Sequence, residues 1–286
     1  MSNVLVIGGA NVDVKAKTSA THIPRTSNPG LVSIKAGGVG RNIAHNLARL
    51  GAKVSLLSVI GLDAFGDLLI SETNKTGVNT NAIIRTNQTT GSYVAMLDEK
   101  GELIIAVSDM GLLSLLTPDT ITKNKDLIMA NNHIISDCNL PEETLHEIAK
   151  LCADRLIIEP VSVAKSQKLR NLLANHKIYL ATPNLDQIES LVGTRDIPIA
   201  IKALHKLGLQ NIVIHAGEQG AFASDGKTFT HIPSTAQKVI DVTGAGDAAT
   251  AGLVHGLMKN LPLADAAKLG QDMAARVIAS DLSTLD

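Results

Sequence analysis

The 286 residues carry 26 Lys or Arg against 27 Asp or Glu, a formal net charge of −1, so the chain offers no basic field to a nucleic-acid polymer or an anionic membrane. Hydrophobic residues make up 45% but aromatics only 2%, with no Trp, which calls for an aliphatic core such as Val-, Ile- and Leu-rich parallel strands supply. No run of about 18 apolar residues is present for a membrane span, and neither a basic leader nor a cleavage site is expected at the start.

Val4–Gly8 reads as a first strand, followed by the polar residues Asn11 and Asp13. Residues 14–35 hold no helical period. Ala36-Gly-Gly-Val-Gly-Arg-Asn-Ile-Ala-His-Asn-Leu-Ala-Arg-Leu-Gly51 then reads as a Gly-rich turn opening a helix. Ile43, Leu47 and Leu50 recur at helical spacing, and Gly51 fits a stop just past the helix. Asn42 falls in the first turn, above Gly37 and Gly38, as a ligand-facing amide or as a cap. Lys53–Ile60 is a strand and Asp67–Thr76 a helix closed by Gly77. Gly91–Leu97 and Leu103–Val107, joined by Asp98-Glu-Lys-Gly101, predict a hairpin.

His133–Ser136 and Leu156–Glu159 are short strands around the helix Pro141–Ala153. A helix over 163–175, the strand Tyr179–Ala181 and the helix Leu185–Val192 follow. Ile197–Lys206 is a helix ended by Gly208, and Asn211–His215 a strand. This alternation predicts a parallel sheet with helices on both faces. Ligands of such sheets sit at the carboxyl ends of strands. Asn11, Asp13, Gly37, Asn184 and Gly244 are all expected there.

Asp241-Val-Thr-Gly-Ala-Gly-Asp247 carries the most chemistry. It reads as the end of an apolar strand and the opening of a helix over Ala248–Met258. Gly244 and Gly246 let a phosphate approach the main chain, and the free amides of a helix start, with the positive end of its dipole, suit an anion. Asp247 stands where an acceptor hydroxyl loses its proton. Phosphoryl transfer needs little beyond charge stabilisation, in-line positioning and such a base. The bland alternative is a strand–helix turn with a first-turn acid. An NAD site at Ile7–Asp13 is disfavoured, because the G-x-G-x-x-G spacing is absent.

The two Gly-rich elements, in this order and about two hundred residues apart, resemble the paired signatures of the ribokinase-like (PfkB) carbohydrate kinases. Val4–Asp13, Gly61-Leu-Asp-Ala-Phe-Gly66, Thr182-Pro-Asn184 and Gly217-Glu-Gln-Gly220 resemble further family segments. Gly37–Ala44, Ser27–Gly30, Ser108–Met110, Ser136–Asn139 and Pro160–Ser162 with Lys165 are similar to the pseudouridine kinase branch. The resemblance implies a three-layer α/β/α fold with a mostly parallel central sheet and a small β lid. Residues 1–13, 36–87 and 109–286 would form the α/β kinase domain, and 14–35 with 88–108 the lid.

It also implies ATP-dependent phosphorylation of the 5′-hydroxyl of a ribosyl substrate, foremost pseudouridine. The alternatives are another sugar or nucleoside kinase of the ribose, fructose or adenosine class, or a nucleoside sensor with weak kinase activity. Asp247 would be the catalytic base and Gly244, Ala245 and Gly246 the anion hole. Asn11, Asp13, Gly37, Gly38, Asn42 and Lys165 would hold the substrate. Asn184, Gly217, Gly220 and Thr243 would serve ATP. Mg²⁺ would be organised indirectly through Glu189, and a K⁺ in some relatives through Asp241. The two cysteines, Cys138 and Cys152, make no disulfide framework and suit a reducing cytoplasm; a homodimer is implied by the family.

Three positions depart from the family pattern. Gln187 stands where the family carries a metal-organising Glu, and a Gln lacks the charge a metal prefers. His215 stands where a hydroxyl residue is usual. The stretch from Ser280 to Asp286 closes the chain early, so a differently built adenine pocket is expected.

Overall fold

In the computed structural model the described residues are 3–280 and 282–286. Residues 1, 2 and 281 lie outside them, including the first two positions of the expected kinase domain and one of the closing stretch.

The chain runs β1 (Asn3–Ile7), β2 (Asn11–Thr18), β3 (Gly30–Gly37), α1 (Val39–Arg49), β4 (Lys53–Leu57), β5 (Val59–Gly61), α2 (Ala64–Asn74), β6 (Ile84–Thr86), β7 (Ser92–Leu97) and β8 (Leu103–Asp109). It continues through α3 (Pro118–Lys123), α4 (Lys125–Met129), β9 (His133–Asp137), α5 (Glu142–Cys152), β10 (Leu156–Glu159), α6 (Val163–Leu173), β11 (Ile178–Ala181) and α7 (Leu185–Val192). Then come α8 (Ile197–Leu207), β12 (Leu209–His215), β13 (Ala221–Ser224), β14 (Phe229–Ile232), α9 (Ala245–Met258) and α10 (Leu263–Ile278).

Eight strands form one sheet in the order β14-β13-β12-β11-β10-β9-β1-β4. From β12 to β4 all neighbours run parallel; only β13 and β14 are antiparallel additions at one edge. Side chains of a strand alternate between faces, so a parallel strand buried on both sides must be apolar throughout. β1 obeys this. Leu5 and Ile7 join the cluster containing Ile148, Leu172 and Leu204 from α5, α6 and α8. Val4 and Val6 join Ile43, Leu47, Leu253 and Ala266 from α1, α9 and α10. The result is a three-layer α/β/α sandwich.

A second sheet, β3-β2-β7-β8, stands apart from the first. The stretch 14–35, which showed no helical period, holds the end of β2, a connecting loop and most of β3. β2 begins at Asn11, so Asn11 and Asp13 lie inside a strand of the small sheet rather than after one of the large sheet. Ser58 divides the expected strand Lys53–Ile60 into β4 and β5, and β5 pairs with β6.

The apolar run before Asp241 is not a strand. Val239, Ile240 and Val242 are exposed in the loop between β14 and α9, and α9 starts at Ala245, three residues earlier than expected. Hydrophobicity there serves a cavity wall, not a sheet.

Candidate active site

Four pieces of backbone converge at the carboxyl ends of the parallel strands. The first is the N-terminus of α9. Gly244 is its cap at φ 80°, a left-handed conformation that side chains resist. A Cβ there would also run into the Ser283 carbonyl. One turn in, Asp247 is buried, and its carboxylate accepts a hydrogen bond from Asn42 Nδ2 at 2.9 Å.

The second piece is the start of α1. Gly38, at φ 98°, packs so closely on the turn after β1 that a Cβ would lie 2.6 Å from the Gly9 carbonyl oxygen. This seats Asn42 beside α9. Arg41 is also buried and donates to the Ala36 carbonyl at 3.3 Å and to Asn42 Oδ1 at 3.4 Å. It therefore turns Asn42 so that the amide NH₂ faces Asp247. Arg41 is thus a support for the site. Burial lowers its pKa to about 10, which leaves it charged at neutral pH.

The third piece is β2, where Asn11 Nδ2 donates to Asp13 Oδ1 at 2.7 Å. The fourth is the row of ends of β9, β10, β11 and β12, carrying Asp137, Glu159, Asn184 and His215 at or just beyond the strands. Asn184 caps α7 in a reciprocal box: Gln187 N donates to Asn184 Oδ1 and Asn184 N to Gln187 Oε1, both at 2.9 Å.

These pieces enclose two adjoining cavities of about 540 and 530 Å³. The first is lined by Asn11, Asp13, Gly38, Asn42, Lys165, Asn184, Thr243, Gly244, Gly246 and Asp247, with Tyr93, Ser108 and Met110 from the small sheet and its end. The second is lined by Gly217, Gly220, Ala245 and Gly246 together with Val239, Val242, Ala249, Ala274 and Ile278. His215, Gly217 and Gly246 belong to both. Nothing lies within 4 Å of where a Cβ of Gly217 or Gly246 would stand, so bare backbone faces open space at the junction.

Not every expected site residue is there. Gly37 lines neither cavity; it packs behind Asp13, where a Cβ would collide with the carboxylate. Glu189 points away and pairs with Arg195 Nε at 2.6 Å, so the metal role expected of it does not match its placement. Gln187 lines the first cavity instead. Asp241 lines neither cavity. Its carboxylate faces Lys15 Nζ at 3.2 Å and accepts from Thr243 N at 2.8 Å. Lys165 does line the first cavity and donates to Asn139 Oδ1.

Two carboxylates were not singled out from the sequence. Asp137 is fully buried and accepts from Gly9 N at 2.8 Å and Asn139 N at 2.9 Å. Glu159 lines the first cavity and accepts from Thr182 Oγ1 at 2.7 Å and Thr250 Oγ1 at 3.1 Å. The available signal was an acid at the carboxyl end of an apolar parallel strand.

Burial raises the pKa of Asp13, Asp137, Glu159 and Asp247 alike. For Asp247 the rise is large; Asn42 opposes it, while Glu159, Asp137 and Asp13 add to it. Glu159 reaches about 7. A cluster of acids held out of water in this way stores basicity that an ordinary surface carboxylate lacks. Lys165 is lowered by burial, with Asp137 opposing. Among the described residues, no three His, Cys, Asp or Glu side chains are arranged to hold a metal on their own.

The arrangement can bind a polar, hydroxylated molecule beside a buried base and an anion at the α9 terminus, with an apolar slot behind. Comparison with known proteins agrees. Residues 1–285 match the family model described as pfkB family carbohydrate kinase. Pseudouridine kinase of Escherichia coli (strain K12) is 34% identical over 287 residues, covering 97% of this chain and 91% of the relative. An uncharacterized sugar kinase of the same organism is also 34% identical, over 95% of this chain and 76% of the relative. The fold is shared with Arabidopsis thaliana ribokinase solved with ribose and ATP, at TM-score 0.87 and 21% identity, over 98% of this chain and 94% of that one. The chain belongs to the pfkB family of carbohydrate kinases, phosphotransferases with an alcohol acceptor.

Proposed function

We propose that this protein transfers the γ-phosphoryl group of ATP to the 5′-hydroxyl of pseudouridine. The observation that carries the reading is that Asp247, the α9 amides and the Asn11–Asp13 pair share one cavity, continuous with a second cavity of apolar wall.

In this reading the ribose lies over Gly38, its vicinal hydroxyls on Asp13 and Asn11; a carboxylate accepts two hydrogen bonds and suits a diol. Asn42 holds Asp247 in place. Asp247 takes the proton of the 5′-hydroxyl as that oxygen attacks phosphorus, and the bond to the leaving phosphate oxygen breaks. The main chain of Gly244, Ala245 and Gly246 holds the charge on the transferred group. Lys165 and Asn139 present a donor and an amide to the base. Tyr93 and Met110 cover the cavity from the small sheet, which serves as a lid that keeps water out.

The adenine side of ATP takes the second cavity, among Val239, Val242, Ala249 and Ile278, with the phosphates running past Gly217 and Gly220 and by Thr243. Gly217 and Gly246 leave the room a polyphosphate needs. Mg²⁺ keeps most of its own waters and rides on phosphates, which suits Asn184, Gln187 and Glu159 at the cavity wall as outer partners. Bound there, it would neutralise phosphate charge. At Asp241 the counter-charge comes from Lys15, so this reading assigns no K⁺ to it. Two buried free cysteines and the use of ATP support a cytoplasmic location.

The exposed apolar side chains of the lid sheet, among them Leu31, Val32, Met96, Ile105 and Val107, support a homodimer formed through it. A nucleoside sensor of the same fold is the second reading. It is favoured by Gln187, which is committed to a helix cap.

ADP release over a panel of pseudouridine, uridine, adenosine, ribose and fructose is the test. Turnover highest with pseudouridine supports the proposal. Turnover confined to another member of the panel moves the substrate, and pseudouridine binding without any turnover selects the sensor.

A further inference from the structure

The loop between β10 and α6 carries a strained turn. Ser162 N donates to the Pro160 carbonyl at 2.8 Å, and the residue between them, Val161, stands at φ 69°. A hydrogen bond that spans one residue of positive φ marks the rare, strained form of the γ-turn. A β-branched side chain resists that conformation, which glycine adopts freely. Among the described residues the chain places glycine at most of its left-handed positions, but not at this one. Burial does not account for the choice, because Val161 is only half-buried. The turn is nonetheless held firmly. Val161 N donates to Glu159 Oε1 at 3.2 Å, and the buried Glu159 is itself fixed by the Thr182 and Thr250 hydroxyls. Ser162 then caps α6 by accepting from Lys165 N at 3.4 Å, so one turn sets both the Val161 side chain and the helix start that bears Lys165. Val161, Lys165 and Asn139 all line the first cavity, and Val161 does not line the second. Strain that the surrounding bonds over-determine, at the wall of a ligand cavity, points to a use in binding.

We propose that Val161 is a specificity-determining residue for the acceptor, an apolar wall on which the flat base of a nucleoside lies while Lys165 and Asn139 meet its polar edge. The inference rests on the kinase reading above and deepens it. The wall selects a ribosyl compound with a planar heterocycle on C1 over a bare sugar. A ring laid on a branched aliphatic side chain gains from the apolar area that both remove from water. A sugar with only a hydroxyl at that carbon leaves the valine wet and gains nothing from it. Glycine would take the same backbone without strain but would leave a gap where the wall stands.

The test is steady-state turnover with ATP and either pseudouridine or ribose, for wild type, Val161→Gly, Val161→Ala and Val161→Thr, with the AMP-PNP affinity and ligand-free melting temperature of each. Val161→Gly and Val161→Ala should raise the KM for pseudouridine about 10-fold, with kcat and AMP-PNP affinity within a few-fold of wild type. The preference for pseudouridine over ribose should narrow by a similar factor. Val161→Thr, which keeps the branched shape, should stay close to wild type. Val161→Gly should melt above Val161→Ala despite its smaller side chain, since glycine alone is at ease at this φ. An unaltered KM for pseudouridine in folded Val161→Gly and Val161→Ala would overturn the wall and leave the kinase reading intact, as would an equal rise in KM for ribose. Val161→Gly melting below Val161→Ala would overturn the strained turn on which the inference stands. Wild type that turns over neither acceptor would overturn the kinase reading and the inference together.

Discussion

At the scale of single residues, the site is a set of acids kept from water and from each other by a few well-aimed donors. Glu159 shows the consequence most clearly. Its folded pKa of about 7 lies above the ordinary glutamate value, so the folded chain holds this proton more tightly than the unfolded one. The associated stability is fully present below about pH 4 and is lost as pH rises through 7. Glu159→Gln keeps the shape and removes the charge, since the Thr182 and Thr250 hydroxyls can turn to accept. The variant should gain stability relative to wild type between pH 5 and pH 8, on the order of 2–3 kcal/mol, read by urea unfolding at both pH values. An equal difference at the two pH values would show that Glu159 is ionised throughout. The sequence made Asn11, Asp13, Asn42 and Asp247 visible because each stands at a fixed offset from a Gly-rich turn. Glu159 and Asp137 have no such punctuation and look like ordinary strand ends. Glu189 misled because spacing along a helix does not say which side faces the cavity; its partner Arg195 does.

At the scale of elements, the start of α9 is the piece on which the others depend. Gly244 sits there in a left-handed conformation, pressed on the Ser283 carbonyl. Gly244→Ala should therefore cost about 1–3 kcal/mol and also displace the closing segment that packs Leu285 on α1, where Leu285 N donates to Asn46 Oδ1 at 2.8 Å. A lowered melting temperature together with weaker AMP-PNP binding is the expected pair of results; an unaltered melting temperature would show that the turn is not under constraint. Several helices were legible because a left-handed glycine marks their end, as Gly51, Gly77 and Gly208 do, but the start of α2 was missed: Asp63 caps it by accepting from Gly66 N at 2.8 Å, and the helix begins three residues before the expected Asp67. The run Val239–Val242 was read as a strand because a short apolar stretch has no period to betray it. Val239 and Val242 line a cavity, a use that composition does not distinguish from a core.

At the scale of the whole molecule, alternating strand and helix runs made the parallel sheet legible, and strand ends told where a ligand belongs. Strand order was not legible, since pairing of β1 with both β4 and β9 depends on crossovers that leave no local mark. The small sheet β3-β2-β7-β8 poses the remaining question. Its exposed apolar residues suit the pairing proposed above. Light scattering should give the mass of a dimer for wild type, and Ile105→Lys with Val107→Lys should give a monomer that still melts cooperatively. A monomeric wild type at assay concentrations would refute the pairing.

The central claim is that Asp247 deprotonates a hydroxyl held beside it in one shared cavity. The most direct measurement is the turnover of Asp247→Asn with pseudouridine and ATP, set beside its pseudouridine affinity. The amide keeps the shape and the hydrogen-bonding reach but cannot take the proton. The account predicts kcat lower by on the order of 10³-fold or more, with pseudouridine still bound within a few-fold of wild type. A near-normal kcat would contradict it.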